Sequence, residues 1–125
     1  MKLLKLNPDC IRDILLTVED VTDFYTTFEY PNDNYEKLKT YSVEEVLYHL
    51  RQCDNHKLIS KYHFFMDGGV SVEDLSPEGH NFLSTVRSDT AWSKIKKSFF
   101  ESGKHTLNNL ISTAIKIVTK NTFDV

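Results

Sequence analysis

Residues 42–72 read SVEEVLYHLRQCDNHKLISKYHFFMDGGVSV, and this stretch decides the predicted fold. Ser42 and Glu45 have the spacing of a capping box, which predicts a helix over 42–55. Apolar residues then recur at helical spacing and are expected to face the core: Val43, Val46, Leu47 and Leu50. Polar and apolar residues alternate on both sides of Asp67-Gly68-Gly69, which predicts a β-hairpin directly after the helix.

Further helices are predicted on both sides of this stretch. Asn7 and Pro8 are typical of a helix cap and a first helical position, and Ser76-Pro77 repeats that pattern. Caps and apolar periodicity place these helices at about 8–22, 76–86, 92–100 and 107–118. The aromatic and threonine-rich residues 23–30 favour a short strand.

The composition is that of a folded domain. The chain has 125 residues, of which 40% are hydrophobic and 26% charged, and this balance excludes a disordered tail. No apolar run approaches the roughly 18 residues of a membrane helix, and the first residues lack the pattern of a signal peptide. Because two cysteines are too few for a disulfide framework, a cytoplasmic location is expected.

The order of helix, short strand, helix, hairpin and further helices is that of a winged helix. We therefore predict a single α+β domain over 1–125. Residues 8–75 form its winged-helix-like core, in which the hairpin is the wing, and residues 76–125 form a helical C-terminal extension.

Three short segments are similar to a known family. They are Val46-Leu47-Tyr48-His49-Leu50, Leu75-Ser-Pro-Glu-Gly79-His80-Asn-Phe82-Leu83, and Arg87 through Trp92 to Lys96. Over about residues 8–96 the chain resembles an uncharacterised family of short bacterial and phage proteins. The resemblance implies a winged-helix-like fold and a phage or prophage origin, and it supplies no activity. One departure is Asn55-His56-Lys57, which stands where a winged helix often turns on glycine before its first wing strand.

A winged helix suggests DNA binding as one function. The residues that could contact DNA from the helix and the wing are Tyr48, Arg51, Gln52, Asn55, Lys61 and His63. Glu44 and Glu45 oppose this hypothesis, because they lie at the helix end that would approach the phosphates first. Residues 42–75 carry three Lys or Arg against six Asp or Glu, so this part of the chain is acidic.

The charge balance instead favours a protein partner, and thus a non-catalytic binding module. The phage origin that the resemblance implies suggests a host or defence protein as that partner. Seven aromatic residues lie in segments that are expected to be incompletely covered: Phe24, Tyr25, Phe28, Tyr30, Tyr35, Tyr41 and Phe65. A basic patch of Lys94, Lys96, Lys97 and Lys104 could meet an acidic protein or nucleic acid.

The last helix carries an apolar stripe that could pair with a second copy of the chain. Its members are Leu107, Leu110, Ile111, Ala114, Ile115 and Val118. An isologous homodimer is one interpretation of this stripe, and the other is that it covers the core of its own domain. The second interpretation is favoured.

Neither a metal nor a catalytic function is predicted. His49, Cys53 and His56 share a helical face, but the sequence specifies no fourth ligand, so packing is the preferred role for them. The chain has no nucleophile elbow, phosphate-binding glycine loop or dinucleotide fingerprint. We therefore expect no enzyme activity and no cofactor.

Overall fold

The computed structural model describes residues 5–123, and these residues form an α+β fold of five helices and two small antiparallel sheets. The helices are α1 (Pro8–Val21), α2 (Val43–Asn55), α3 (Pro77–Val86), α4 (Asp89–Ser102) and α5 (Leu107–Phe123). The strands are β1 (Phe28–Tyr30), β2 (Ile59–Ser60), β3 (His63–Phe64), β4 (Val70–Val72) and β5 (Asp74–Leu75), with a 3-10 turn at Glu36–Leu38. Among the described residues, no helix is long and apolar enough to cross a membrane.

The predicted hairpin is confirmed. Its first arm consists of β2 and β3, and its second arm of β4 and β5. Lys61, with a φ of 55°, interrupts the first arm between its two strands. The tip closes where the Phe65 N–H donates to the Gly69 carbonyl at 2.8 Å. β1 pairs with the other side of β4, which gives the sheet order β1-β4-β3.

The predicted helix caps are present, and each satisfies backbone N–H groups that the first helical turn leaves free. Asn7 Oδ1 accepts from the N–H groups of Asp9 and Cys10, at 3.0 and 3.4 Å. Ser42 Oγ accepts from the Glu45 N–H at 3.1 Å. The predicted bounds of α1 and α2 are confirmed to within a residue.

Helix α2 ends without a glycine. Lys57 takes the left-handed conformation with a φ of 59°, and the Leu58 N–H donates back to the Cys53 carbonyl at 2.8 Å. This is the usual geometry of a helix C-terminus, in which glycine is the commonest residue. A lysine therefore makes the turn that leads into the hairpin.

Two predicted element starts were wrong, and α5 continues to Phe123 rather than ending near 118. The strand predicted over 23–30 covers only 28–30, because Asp23 Oδ1 accepts from the N–H groups of Tyr25 and Thr26, both at 2.8 Å, and holds a turn. The helix predicted from 92 begins at residue 89, because Ser88 Oγ caps it through the Ala91 N–H.

One buried cluster joins all five helices. It includes Ile11 of α1, Leu50 of α2, Leu83 of α3, Phe99 of α4 and Leu110 of α5. The two cysteines, Cys10 and Cys53, are both buried and free, and burial raises the pKa of each thiol.

Arg12 joins α1 to the turn between α3 and α4, residues 86–89, which we call the α3–α4 elbow. Its guanidinium donates to the carbonyls of Val86 and Arg87, at 2.8 and 2.6 Å, and to Asp89 at 3.0 Å. It also lies over the Trp92 ring, 5.6 Å from the ring centroid. The carbonyls are those that the end of α3 leaves free, so one side chain caps a helix from across the domain.

The start of α3 presses against the turn that follows α2. Ser76 Oγ donates to the Lys57 carbonyl at 2.5 Å, and the Ser76 N–H donates to the Leu58 carbonyl at 3.1 Å. At Gly79 a Cβ atom would lie 1.9 Å from the Leu58 carbonyl oxygen. Glycine is required there because the backbones of α3 and the turn are in direct contact.

Candidate functional site

A groove of about 340 Å³ runs between α2 and the first arm of the hairpin. Helix α2 contributes one stripe of residues spaced three and four apart: Glu44, Leu47, Tyr48 and Arg51. Tyr62 and Phe64 form the opposite wall. We call this feature the α2–wing groove. Its floor is apolar, and a charged side chain stands at each end of the α2 stripe.

The predicted core-facing side of α2 was partly wrong. Val43 and Leu47 were expected to be buried, but Val43 is 47% exposed and Leu47 is only half-buried in the groove. The core side of α2 is formed by Val46, Leu50 and Cys53, together with His49. Leu47 lies on the side of α2 that faces the hairpin, whereas Val43 is the first residue of the helix and is not covered by the domain.

The tip of the hairpin is apolar and exposed. Phe64 and Phe65 are each about half exposed, and Met66 is fully exposed. By contrast, all three residues of β4 are buried. The sequence analysis did not identify Phe64 and Met66 as exposed residues. The alternation of residues along a hairpin does not show which of its two faces packs against the domain. We call Phe64, Phe65 and Met66 the wing tip.

Of the seven candidate aromatic anchors, Phe24, Tyr25 and Phe65 are exposed. Phe28 and Tyr30 are buried instead, because β1 pairs with β4 and their side chains enter the core. Tyr35 and Tyr41 are half-buried, and the hydroxyl of Tyr41 donates to Asp13 at 2.7 Å.

The six candidate DNA-contact residues do not form a positive surface. Arg51 lies over the Phe64 ring with its Cζ 5.9 Å from the centroid, and Tyr48 is half-buried beside it. Lys61 Nζ is 3.2 Å from a carboxylate oxygen of Glu73, so the positive charge of Lys61 is paired with an acidic residue of the same hairpin. Of the others, Asn55 and His63 are exposed and Gln52 is half-buried.

The candidate basic patch is smaller than predicted. Lys94, Lys97 and Lys104 are exposed. Lys96 is directed instead to α1, where its Nζ lies 3.1 Å from Asp9 Oδ1 and 5.9 Å from the Trp92 ring centroid. An opposite charge and an aromatic face within the domain therefore hold this lysine.

The apolar stripe of α5 is divided between the core and the surface. Leu107, Leu110 and Ala114 are buried, in a helix that packs against α3 and α4. Ile111 and Val118 are half-buried, and Ile115 is 55% exposed. Ile111 and Ile115 line a second pocket of about 310 Å³ with Leu58 and Phe82.

His49 is a buried hydrogen-bonding residue. Its Nε2 accepts from the Asn7 N–H at 2.8 Å, and its Nδ1 donates to the Glu45 carbonyl at 2.7 Å. Both ring nitrogens are therefore occupied, and the ring is neutral. Burial lowers the pKa of His49, which the nearby Glu45 only partly opposes. In the part of the chain that the structure describes, no three His, Cys, Asp or Glu side chains meet as a metal site.

We expect His49 to make the fold sensitive to mild acid. Its pKa is near 6.5 in the unfolded chain and lower in the folded one, so the unfolded chain binds more protons between these two values. The free energy of unfolding should fall as the pH drops below about 6.5, until the folded pKa is reached.

Urea midpoints at pH 7.5 and 5.5 measure this effect. His49→Gln should reduce the difference between the two midpoints, and His63→Gln, which changes an exposed histidine, should leave it intact. Equal midpoints at the two pH values in the unmodified chain would contradict the assignment.

Comparison with known proteins identifies the family. A family model described as "Hypothetical protein (DUF2513)" matches residues 5–105. The chain belongs to this family. The DUF2513 match contains the α2–wing groove and the whole of 8–96, and it confirms the resemblance to an uncharacterised family. Neither the curated proteins nor the solved structures gave a match.

Proposed function

We propose that this DUF2513 protein is a non-catalytic, winged-helix-like module that binds another protein through the α2–wing groove and the wing tip. The observation that carries the proposal is the wing tip itself, where Phe64, Phe65 and Met66 stand in solvent. Contiguous exposed apolar side chains on a folded domain are typical of interaction sites. Aromatic and methionine side chains are enriched in protein interfaces.

The groove extends this apolar surface onto the helix. Leu47 and Tyr48 continue it from the hairpin to α2, and Glu44 and Arg51 lie at its edges. An apolar centre with a polar rim is the usual anatomy of a protein interface.

Electrostatics supports a protein rather than a DNA partner. Phosphate contacts supply much of the affinity of DNA-binding proteins, and they need free cations. Glu44 and Glu45 occupy the first turn of α2, and Lys61 is already paired with Glu73. Among the described residues of 42–75, six acids outnumber three bases.

The winged-helix part of the proposal rests on the order of elements. Helix α2 directly precedes the hairpin, and β1, which precedes α2, pairs with the second arm of that hairpin. The resemblance to bacterial and phage proteins suggests a host or defence protein as the partner.

A photo-crosslinking amino acid placed at Met66 tests the proposal in cells of the species that encodes the chain. We expect it to crosslink one polypeptide. The same group at Ser84, an exposed position of α3 away from the groove, should not crosslink it.

Fluorescence anisotropy with mixed duplex DNA at low and moderate salt is the second measurement. We expect no salt-sensitive binding. Steep salt-sensitive binding that Arg51→Ala and Asn55→Ala both abolish, without a crosslink specific to Met66, would favour the alternative function, a DNA-binding transcriptional regulator.

A further inference from the structure

We infer that the α2–wing groove binds an amphipathic helix that carries an acidic residue and, seven positions later, a basic residue, with apolar residues between them. The inference rests on the proposed function and narrows the partner to one class of segment. It follows from the placement of two opposite charges on either side of an apolar floor.

The two charges are Glu44 and Arg51, and they lie on one face of α2. Seven residues are about 20° short of two full turns and rise about 10.5 Å along the helix axis. Leu47 and Tyr48, three and four positions after Glu44, lie between the charges and line the groove. The groove therefore has an acidic end, an apolar middle and a basic end.

A helical partner matches this spacing and a β-strand does not. In a helix, residues seven apart also rise about 10.5 Å on one face, and positions three and four residues after the first lie between them. A strand would cover the same distance in about three residues, and side chains three apart on a strand point to opposite faces. A β-strand with its charges three residues apart could not direct both of them into the groove.

The charges also set the direction of the partner helix. A basic residue should face Glu44 and an acidic residue should face Arg51. Acidic residues are stabilised near a helix N-terminus and basic ones near its C-terminus. The favoured partner thus has its acid first and runs antiparallel to α2, with apolar residues three and four positions after the acid.

A displayed library of helix-forming peptides, selected on the full-length chain, is the test. Peptides are kept only if they lose binding to the Phe64→Ser variant. Because Phe64 is 55% exposed, this change should leave the core intact, and circular dichroism checks the fold. We expect the retained peptides to share an acid, an apolar pair at positions three and four, and a base at position seven.

Charge reversal sharpens the result. The Glu44→Lys/Arg51→Glu double variant should bind the selected peptides about 5- to 10-fold more weakly, as expected from two partly exposed ion pairs. A peptide with its acid and base exchanged should recover that loss. Reversal of an exposed pair outside the groove, Glu36→Lys/Lys39→Glu, should change nothing.

The outcomes separate this inference from the function on which it rests. Retained peptides without the charge pattern, or with extended proline-containing sequences, would overturn the inference and leave a protein-binding groove in place. If every selected peptide binds Phe64→Ser as well as the unmodified chain, the groove is not the binding surface and both proposals fail.

Discussion

Replacement of Gly79 by alanine should lower the free energy of unfolding by about 3 kcal/mol, the upper range for overpacking a rigid site. Helix propensity alone predicts the opposite, because alanine in a helix is favoured over glycine by roughly 0.5–1 kcal/mol. The added Cβ would lie 1.9 Å from the Leu58 carbonyl oxygen, which is far inside van der Waals contact. That carbonyl cannot move freely, since it also accepts from the Ser76 N–H.

Urea unfolding followed by circular dichroism measures the effect. Ser84→Ala is the matched control, because Ser84 is an exposed position in the same helix and should change stability by no more than about 0.5 kcal/mol. A Gly79→Ala protein as stable as the control would show that α3 and the turn at Leu58 are not in close contact.

The sequence predicted the parts of this fold that depend on neighbouring residues. The caps at Asn7, Ser42 and Ser76 act within three positions of themselves, so their residue types reveal where helices begin. The hairpin turn is equally local, and Gly68 takes a positive φ there. Such signals need no knowledge of the tertiary structure.

Features that depend on distant parts of the chain were not predictable in the same way. By helix propensity alone, Gly79 is an unfavourable residue for a helix. Only its close contact with the Leu58 backbone explains why glycine is required there. The role of Arg12 depends on carbonyls more than seventy positions away. The prediction at 23–26 was also wrong for a local reason. The composition there favours a strand, but the Asp23 side chain accepts hydrogen bonds from the backbone and holds a turn instead.

The candidate site was predicted in part. Tyr48 and Arg51 were recognised as surface residues of α2, and their spacing with Glu44 and Leu47 could have been read from the sequence. What the sequence could not show is that Tyr62 and Phe64 stand opposite them. That depends on how the hairpin is set against α2, and it places Tyr48 and Arg51 beside an apolar floor.

Replacement of Arg12 by alanine is the second large effect that we expect, a loss of about 3 kcal/mol in the free energy of unfolding. Hydrogen bonds from a charged donor each contribute about 1.5–3 kcal/mol, and Arg12 makes two to the carbonyls of Val86 and Arg87. Its contact with Asp89 adds little, because the Asp89 side chain is 95% exposed. Arg12→Lys should recover only part of the loss, since an ammonium lacks the planar fork.

Arg87→Ala is the matched control for this change, because Arg87 also joins α1 to the α3–α4 elbow. Its guanidinium donates to both carboxylate oxygens of Glu19, at 2.9 and 2.6 Å, and lowers the pKa of that carboxyl. Both side chains are substantially exposed, so the loss should be no more than about 1 kcal/mol. Fluorescence of Trp92, the single tryptophan, reports unfolding in every variant. Equal losses for Arg12→Ala and Arg87→Ala would mean that the charge of Arg12, rather than its caps on the end of α3, holds the elbow in place.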